Sequence, residues 1–272
     1  MSYIRELIAS RELLANLTMR DVKGKYRRTV FGQLWSLINP LALMLVYTIV
    51  FSFIFRANPE PGDPSGLDVY PLWLMSALLP WLFFTRVVNG GITTLVSNAG
   101  LIKKVYFPRV VLPLAVVGST GFTWLNEMGL LAIVLLIFGA WVLPWLPLVV
   151  IFMILLALFA AGVAMLLSIA NVYFRDIQHF TTILLQLWMY LTPIIYPVAL
   201  VENVAADKGE WILTVYRLNP MERFAAAFRD LLYNNRFPAL DDTLVCIVVG
   251  VSVFALGFWA FVRNEKKLAE VL

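Results

Sequence analysis

Arg86 and Glu127 are ionisable residues set inside long apolar stretches, and a charge held within a bilayer core is a candidate for function by default. A proton relay needs several acidic or histidine groups along a path, and Glu127 stands alone in its stretch. A coupling role for Glu127 therefore competes with a structural, cavity-facing one. Arg86 falls in the inner half of its helix, where it can snorkel to headgroups. It reaches Glu127 only if the third apolar helix starts deep in the interface.

Other reactive chemistry is scarce. His179 is the single histidine and Cys246 the single cysteine, which excludes a two-histidine metal motif, most histidine triads and a disulfide framework. Gly24-Lys25 lacks both the upstream glycine and the following hydroxyl of a GxxxxGK[ST] phosphate loop. Paired carboxylates and a nucleophile beside its base are also missing, which opposes a membrane-bound glycosyl- or acyltransferase. No catalytic or metal-ligating set is expected, and uphill transport would have to draw its energy from another chain.

The elements that must position these residues are membrane helices. The chain has 272 residues, 61% apolar and 14% charged, far from the soluble average of about 25% charged. About 20 apolar residues cross a bilayer, so the apolar runs provide for six spans and leave no room for a soluble catalytic domain. The net charge of +4 does not point to nucleic acid, because the basic residues cluster beside apolar runs, as orientation in a membrane requires.

The sequence predicts an all-α integral membrane protein with one transmembrane domain over 1–272. Residues 1–33 form an amphipathic and basic cytoplasmic segment, 34–262 the six spans and 263–272 a cytoplasmic tail. Ile4, Leu7, Ile8 and Leu14 recur near helical spacing and predict one interfacial helix over 2–15, followed by a stretch from Arg20 to Arg28 too charged for lipid. Spans are expected at 34–55, 72–95, 110–140, 148–170, 180–197 and 243–262. The third is too long for one upright span and too short for two. A hairpin there would turn Arg175 and the tail outside, so one long helix is expected. The basic segments 97–109 and 171–179 and both termini then face the cytoplasm, while 56–71 and 198–242 face outward. In the last of these, Asn219, Pro220 and Glu222 mark a helix start, with Phe224, Phe228, Leu231 and Leu232 on one face.

The stretch Arg20-Asp-Val-Lys-Gly-Lys-Tyr-Arg-Arg-Thr-Val-Phe-Gly-Gln-Leu-Trp-Ser-Leu-Ile-Asn-Pro40 closely resembles the permease subunits of bacterial ABC transporters that export O-antigen or teichoic acid. Ser97-Asn-Ala-Gly-Leu-Ile-Lys-Lys-Val-Tyr-Phe-Pro-Arg109, Asn171-Val-Tyr-Phe-Arg-Asp176 and Thr192-Pro-Ile-Ile-Tyr-Pro197 are similar to that family's inner loops and outer-gate approach. Phe31 stands where leucine is common, and Gly90-Gly91 should loosen the second helix. The resemblance implies a homodimer in the bacterial cytoplasmic membrane, two copies of a separate ATPase that binds ATP and magnesium, and a lipid-linked glycan moving between the subunits. It also implies short re-entrant outer helices between spans five and six. A related ABC permease exporting drugs or small lipids is the alternative.

On that reading the ATPase-docking candidates are Leu101, Lys103, Lys104, Val105, Tyr106 and Phe107, with Arg175 and Asp176 alongside. The competing reading is that the two lysines only set topology. A hydrated polymer sliding between apolar subunits suits aromatic walls, which makes Tyr47, Phe51, Trp81, Phe84, Trp188 and Thr192 the channel-lining candidates. Aromatic residues also face lipid, so the set is offered as a group.

Overall fold

The computed structural model describes residues 3–25, 29–54 and 61–271, and among them the regular structure is entirely helical. In chain order the helices are α1 (Tyr3–Ala9), α2 (Arg11–Lys25), α3 (Trp35–Tyr47), α4 (Tyr70–Ser97), α5 (Ala99–Lys104) and α6 (Val111–Ile137). They continue with α7 (Leu146–Tyr173), α8 (Ile177–Tyr190), α9 (Ala199–Lys208), α10 (Trp211–Arg217), α11 (Pro220–Arg229) and α12 (Leu240–Val271). Part of the outward loop expected at 56–71, and Tyr26, Arg27 and Arg28 of the basic stretch, lie outside the described residues.

Four stretches among the described residues are long and apolar enough to cross a membrane: Tyr70–Ser97, Val111–Ile137, Leu143–Tyr173 and Leu240–Glu265. The expected first and fifth spans are shorter. After Tyr47 the first turns into a π-helix over Thr48–Ile54, where the Thr48 hydroxyl donates to the Met44 carbonyl at 2.6 Å. The fifth starts at Ile177 and stops at Tyr190, well short of 197, because Pro193 and Pro197 carry no N–H to continue the ladder. The third is the single helix that the charge balance suggested, about 40 Å for 27 residues.

The amino-terminal region departs further from its pattern. Helix breaks at Ser10, whose hydroxyl turns back to the Glu6 carbonyl at 2.9 Å, so α1 and α2 replace one amphipathic helix. Helix α2 then runs on through the charged stretch to Lys25, because it lies along α6, with Leu17 and Val22 buried and Thr18 seated against Gly118.

Helix α4 is the axis of the bundle, covered by α6, α7 and α11. Phe83 stacks on Trp124 with centroids 4.1 Å apart, and Phe84 on Phe159 at 5.1 Å. Helices α7 and α12 run parallel and meet backbone to backbone. A Cβ on Gly257 would sit 2.5 Å from the Gly162 carbonyl oxygen, and one on Gly162 would sit 2.4 Å from that of Val253. Small residues let helices approach this closely where lipid offers no hydrophobic drive between them. Gly91 serves the same end, a Cβ there lying 2.5 Å from Ala164 Cβ. The expectation that Gly90-Gly91 loosens the second helix is thus corrected at Gly91, which closes α4 onto α7.

One end of the bundle gathers both chain termini. Tyr3 meets Phe258 edge-on at 6.0 Å, and the Arg109 amide donates to the Glu265 carboxylate at 2.6 Å while its guanidinium reaches the Glu265 carbonyl. Leu17, Leu95, Ile102, Phe107, Phe261 and Leu268 form a second apolar cluster beneath them. At the other end α11 sinks between α4, α7 and α12, with Phe224, Phe228, Leu231 and Leu232 fully buried.

Candidate functional site

The two charges inside the apolar helices meet. Arg86 Nη1 donates to Glu127 Oε1 at 2.7 Å, joining α4 to α6, with the carboxylate side chain 1% exposed and the arginine 30%. Pairing lowers the cost of each charge in a medium where either alone is expensive. The second carboxylate oxygen accepts no hydrogen bond among the described residues. Glu127 borders a void of about 20 Å³ walled by Pro40, Met44, Met75 and Leu79. Lys25, at the end of α2, lies within electrostatic reach of both members, a proximity without a local signal because only tertiary packing carries α2 up beside α6. Burial first, and the neighbouring Arg86 charge second, hold the Lys25 ammonium below the usual lysine range.

The channel-lining candidates separate. Trp81 is 2% exposed and Phe84 is fully buried, both inside the subunit: Trp81 packs on Trp188 at 5.9 Å, Phe84 on Trp188 at 5.4 Å. Thr192 is also buried, its hydroxyl donating to the Trp188 carbonyl at 2.9 Å. Within the subunit these three side chains are packed against neighbouring helices and turns. Trp188 and Tyr47 are half-buried. Phe51 lies in the π-helical turn, and its side chain is outside the described residues.

Trp188 is held by a residue that the sequence marked only as a helix cap. The Asn219 carbonyl oxygen accepts the Trp188 indole N–H at 2.8 Å and the Met221 amide at 3.0 Å, while its amide nitrogen donates to the Thr192 hydroxyl at 2.9 Å. One side chain thus starts α11, closes the end of α8 and orients the indole. Around it Trp188, Leu191, Trp211, Val215 and Tyr216 border an open cleft of about 560 Å³. Arg229, missed in the sequence, is buried. It donates to the carbonyls of Pro193 and Ile194 at 2.5 and 2.7 Å and lies 3.7 Å over the Trp73 ring. These two carbonyls are available because Pro193 interrupts the helix that would otherwise have engaged them.

The docking candidates form a stiff projection at the terminus end. Helix α5 is anchored by Ile102 and Phe107, both buried, while Lys103, Lys104, Val105 and Tyr106 project and Leu101 is half-buried; Tyr106 is 87% exposed. Phe107 therefore faces inward as an anchor, and the exposed surface is the run from Lys103 to Tyr106. Arg175, Asp176 and His179 are exposed at the same end, where Asn171 of α7 donates to the Ile92 carbonyl of α4 at 3.1 Å. Among the described residues no group of histidine, cysteine or carboxylate side chains could hold a metal ion.

These features fit the comparisons with known proteins. The O-antigen export system permease protein RfbA of Myxococcus xanthus is 28% identical over 267 residues, 98% of either chain. The protein of the same name in Klebsiella pneumoniae is 29% identical over 270 residues, covering 96% of this chain and 95% of that one. The capsule polysaccharide export inner-membrane protein CtrC of Neisseria meningitidis is 23% identical over 270 residues, covering 93% of this chain. The pattern of the ABC-2 type transporter family matches residues 12–233, most of the helical bundle, and the chain belongs to that family.

Proposed function

We propose that this chain is the transmembrane subunit of an ATP-driven exporter that moves a lipid-linked polysaccharide across the bacterial cytoplasmic membrane. The observation that carries the reading is the end-to-end similarity to permeases named for O-antigen export, over a bundle with four membrane-length helices. In this family the membrane subunit works with a separate ATPase, and on this reading ATP and magnesium bind to that partner.

The finer reading follows the charges. Lys103, Lys104, Arg109 and Arg175 gather at the end that holds both termini, which the positive-inside tendency assigns to the cytoplasm. Helix α3 with its π-helical extension and helix α8 with the following turns complete six crossings. Helices α9, α10 and α11 re-enter from outside. Two copies of the chain form the conduit, and two ATPases dock on Lys103, Lys104, Val105 and Tyr106, with Arg175 and Asp176 beside them. Tyr47, Phe51 and Trp188 offer the conduit flat apolar faces with a few hydrogen-bonding groups.

Depletion of the chain in its host tests the substrate class. Lipid-linked glycan should accumulate on the inner leaflet; if a drug or a small lipid accumulates and glycan does not, the reading fails. Replacing Tyr47, Phe51 and Trp188 together by Ala should leave insertion, dimerisation and ATPase docking in place while export falls. Normal export by this variant removes these residues from the conduit.

A further inference from the structure

Helix α8 divides into three faces. Thr181 and Leu185 are buried, and with Trp188 they turn toward α4 and α7, the helices on which α8 chiefly packs. Trp188 leaves that packed side only at its outer edge, where it borders the open cleft beside Trp211 and Tyr216. Phe180, Ile183, Leu184 and Leu187 are exposed and apolar, as a surface against lipid should be. Gln178, Thr182, Gln186 and Tyr190 are exposed too, at steps of four residues. At about 100° per residue they follow one another around roughly a third of the circumference, between the buried face and the apolar one.

This third face is out of place in hydrocarbon. Gln186 stands two residues before Trp188, whose ring packs on Trp81 and Phe84 near the midpoint of the 28-residue α4, so it lies deep in the membrane. Thr182 is satisfied within the helix, its hydroxyl donating to the Gln178 carbonyl at 2.9 Å. The side-chain amides of Gln178 and Gln186 make no hydrogen bond among the described residues. Lipid offers an amide no partner, and a polar side chain at the depth of Gln186 turns to a water-filled cavity or to another polar group. The face continues past both ends of the helix. At the terminus end it opens onto the exposed Arg175 and Asp176. At the other end Tyr190 is within electrostatic reach of Tyr47 on α3, and its carbonyl accepts the Tyr196 hydroxyl at 2.8 Å. Between Asp176 and Glu202 the sequence holds no carboxylate, lysine or arginine. The face therefore presents amides and hydroxyls that both donate and accept, and no fixed charge that would hold a solute in place.

We propose that the face of α8 that carries Gln178, Thr182, Gln186 and Tyr190 is a wet wall of the conduit, where hydroxyls of the passing glycan trade hydrogen bonds with water and with these side chains. A hydroxyl-rich chain can exchange one such partner for the next as it advances. This rests on the exporter reading and deepens it, naming uncharged, hydroxyl-rich polymer as what the wall admits.

Single cysteine substitutions in the permease purified with its ATPase test the wall, in nanodiscs during ATP turnover, with sulfonatoethyl methanethiosulfonate as a water-borne thiol reagent. A thiol reacts as its thiolate, which forms where water reaches it. Thr182→Cys and Gln186→Cys should be labelled, Ile183→Cys and Leu187→Cys should not, and the buried Cys246 should give no background. In cells, Gln186→Leu in complexes that keep their ATPase should slow glycan export about fivefold, the scale of one neutral hydrogen bond. Gln186→Asn keeps the amide and should retain most of the export. Resistance of Thr182→Cys and Gln186→Cys to the reagent, whether they lie against lipid or against the same face of a second copy, overturns the wall, and so does normal export by Gln186→Leu. Labelling needs no glycan. The expected labelling in a chain that exports none would uphold the wet face and reject the exporter reading, while glycan export with positions 182 and 186 dry would do the reverse.

Discussion

The indole of Trp188 and the side chain of Asn219 are joined at 2.8 Å, and through that amide the end of α8 and the start of α11 form one unit. Asn219→Ala removes a helix cap and two side-chain hydrogen bonds together. The expected loss is about 3 kcal/mol, a cap contributing roughly 1 and each bond about 1. Asn219→Asp keeps the acceptor and loses the donor to Thr192, so it should fall between the two. Thermal unfolding in detergent, followed by tryptophan fluorescence, measures both, and equal stability of Asn219→Ala and the native chain would refute the junction.

Arg86 and Glu127 should behave as a coupled pair. Arg86→Gln leaves a buried carboxylate without its cation. Breaking a buried pair costs about 3–5 kcal/mol, reduced to about 2 here because Arg86 is 30% exposed. Arg86→Gln combined with Glu127→Gln should recover much of that loss. A double-mutant cycle with additive effects would show that the two side chains do not support one another.

Glycine positions should divide by what faces them. Gly257→Ala and Gly162→Ala drive a methyl group into the backbone of the facing helix and should prevent stable folding, read as loss of monodisperse protein after extraction. Gly121 has open space around it, and Gly121→Ala should be neutral or stabilising by up to about 1 kcal/mol, the helix-propensity gain over glycine. Tolerance at Gly257 equal to that at Gly121 would contradict the close α7–α12 contact.

Burial, opposed by Arg223 and assisted by Asp242, raises the Glu222 carboxyl to about 7 from its ordinary 4.5. The folded chain therefore binds a proton at pH values where the unfolded chain has released it. Stability should rise as pH falls from about 7.5 toward 5, and fall again as the carboxyl ionises on the return. Glu222→Gln should flatten this slope in thermal melts across that range. A native chain whose midpoint drops on mild acidification, with the variant behaving alike, would show that Glu222 does not govern it.

Local signals in the sequence were sufficient where one element determines the outcome. Asn219 with Pro220 marked the start of α11, because capping and proline chemistry act within a few residues, and the charge balance of the flanking segments marked α6 as one helix. Signals failed where a second element decides. Helical spacing put Trp81 and Phe84 on nearby positions of α4 but could not show that α7 and α8 cover that surface. The charge of 20–25 argued against a buried helix, and only the fit of Thr18 to Gly118 and the burial of Val22 explain why α2 continues. Arg229 was invisible because its acceptors lie more than thirty residues earlier in the chain.

The clamp between Arg109 and Glu265 bears on the order in which the protein is made. Arg109 leaves the ribosome long before Glu265 does, and until then neither its amide nor the apolar cluster beneath it has the cover that Phe261 and Leu268 provide. The surface that carries α5 is thus finished only once α12 has been made. A partner that recognises this surface in its completed form would leave chains that lack α12 alone and engage only those in which it has packed.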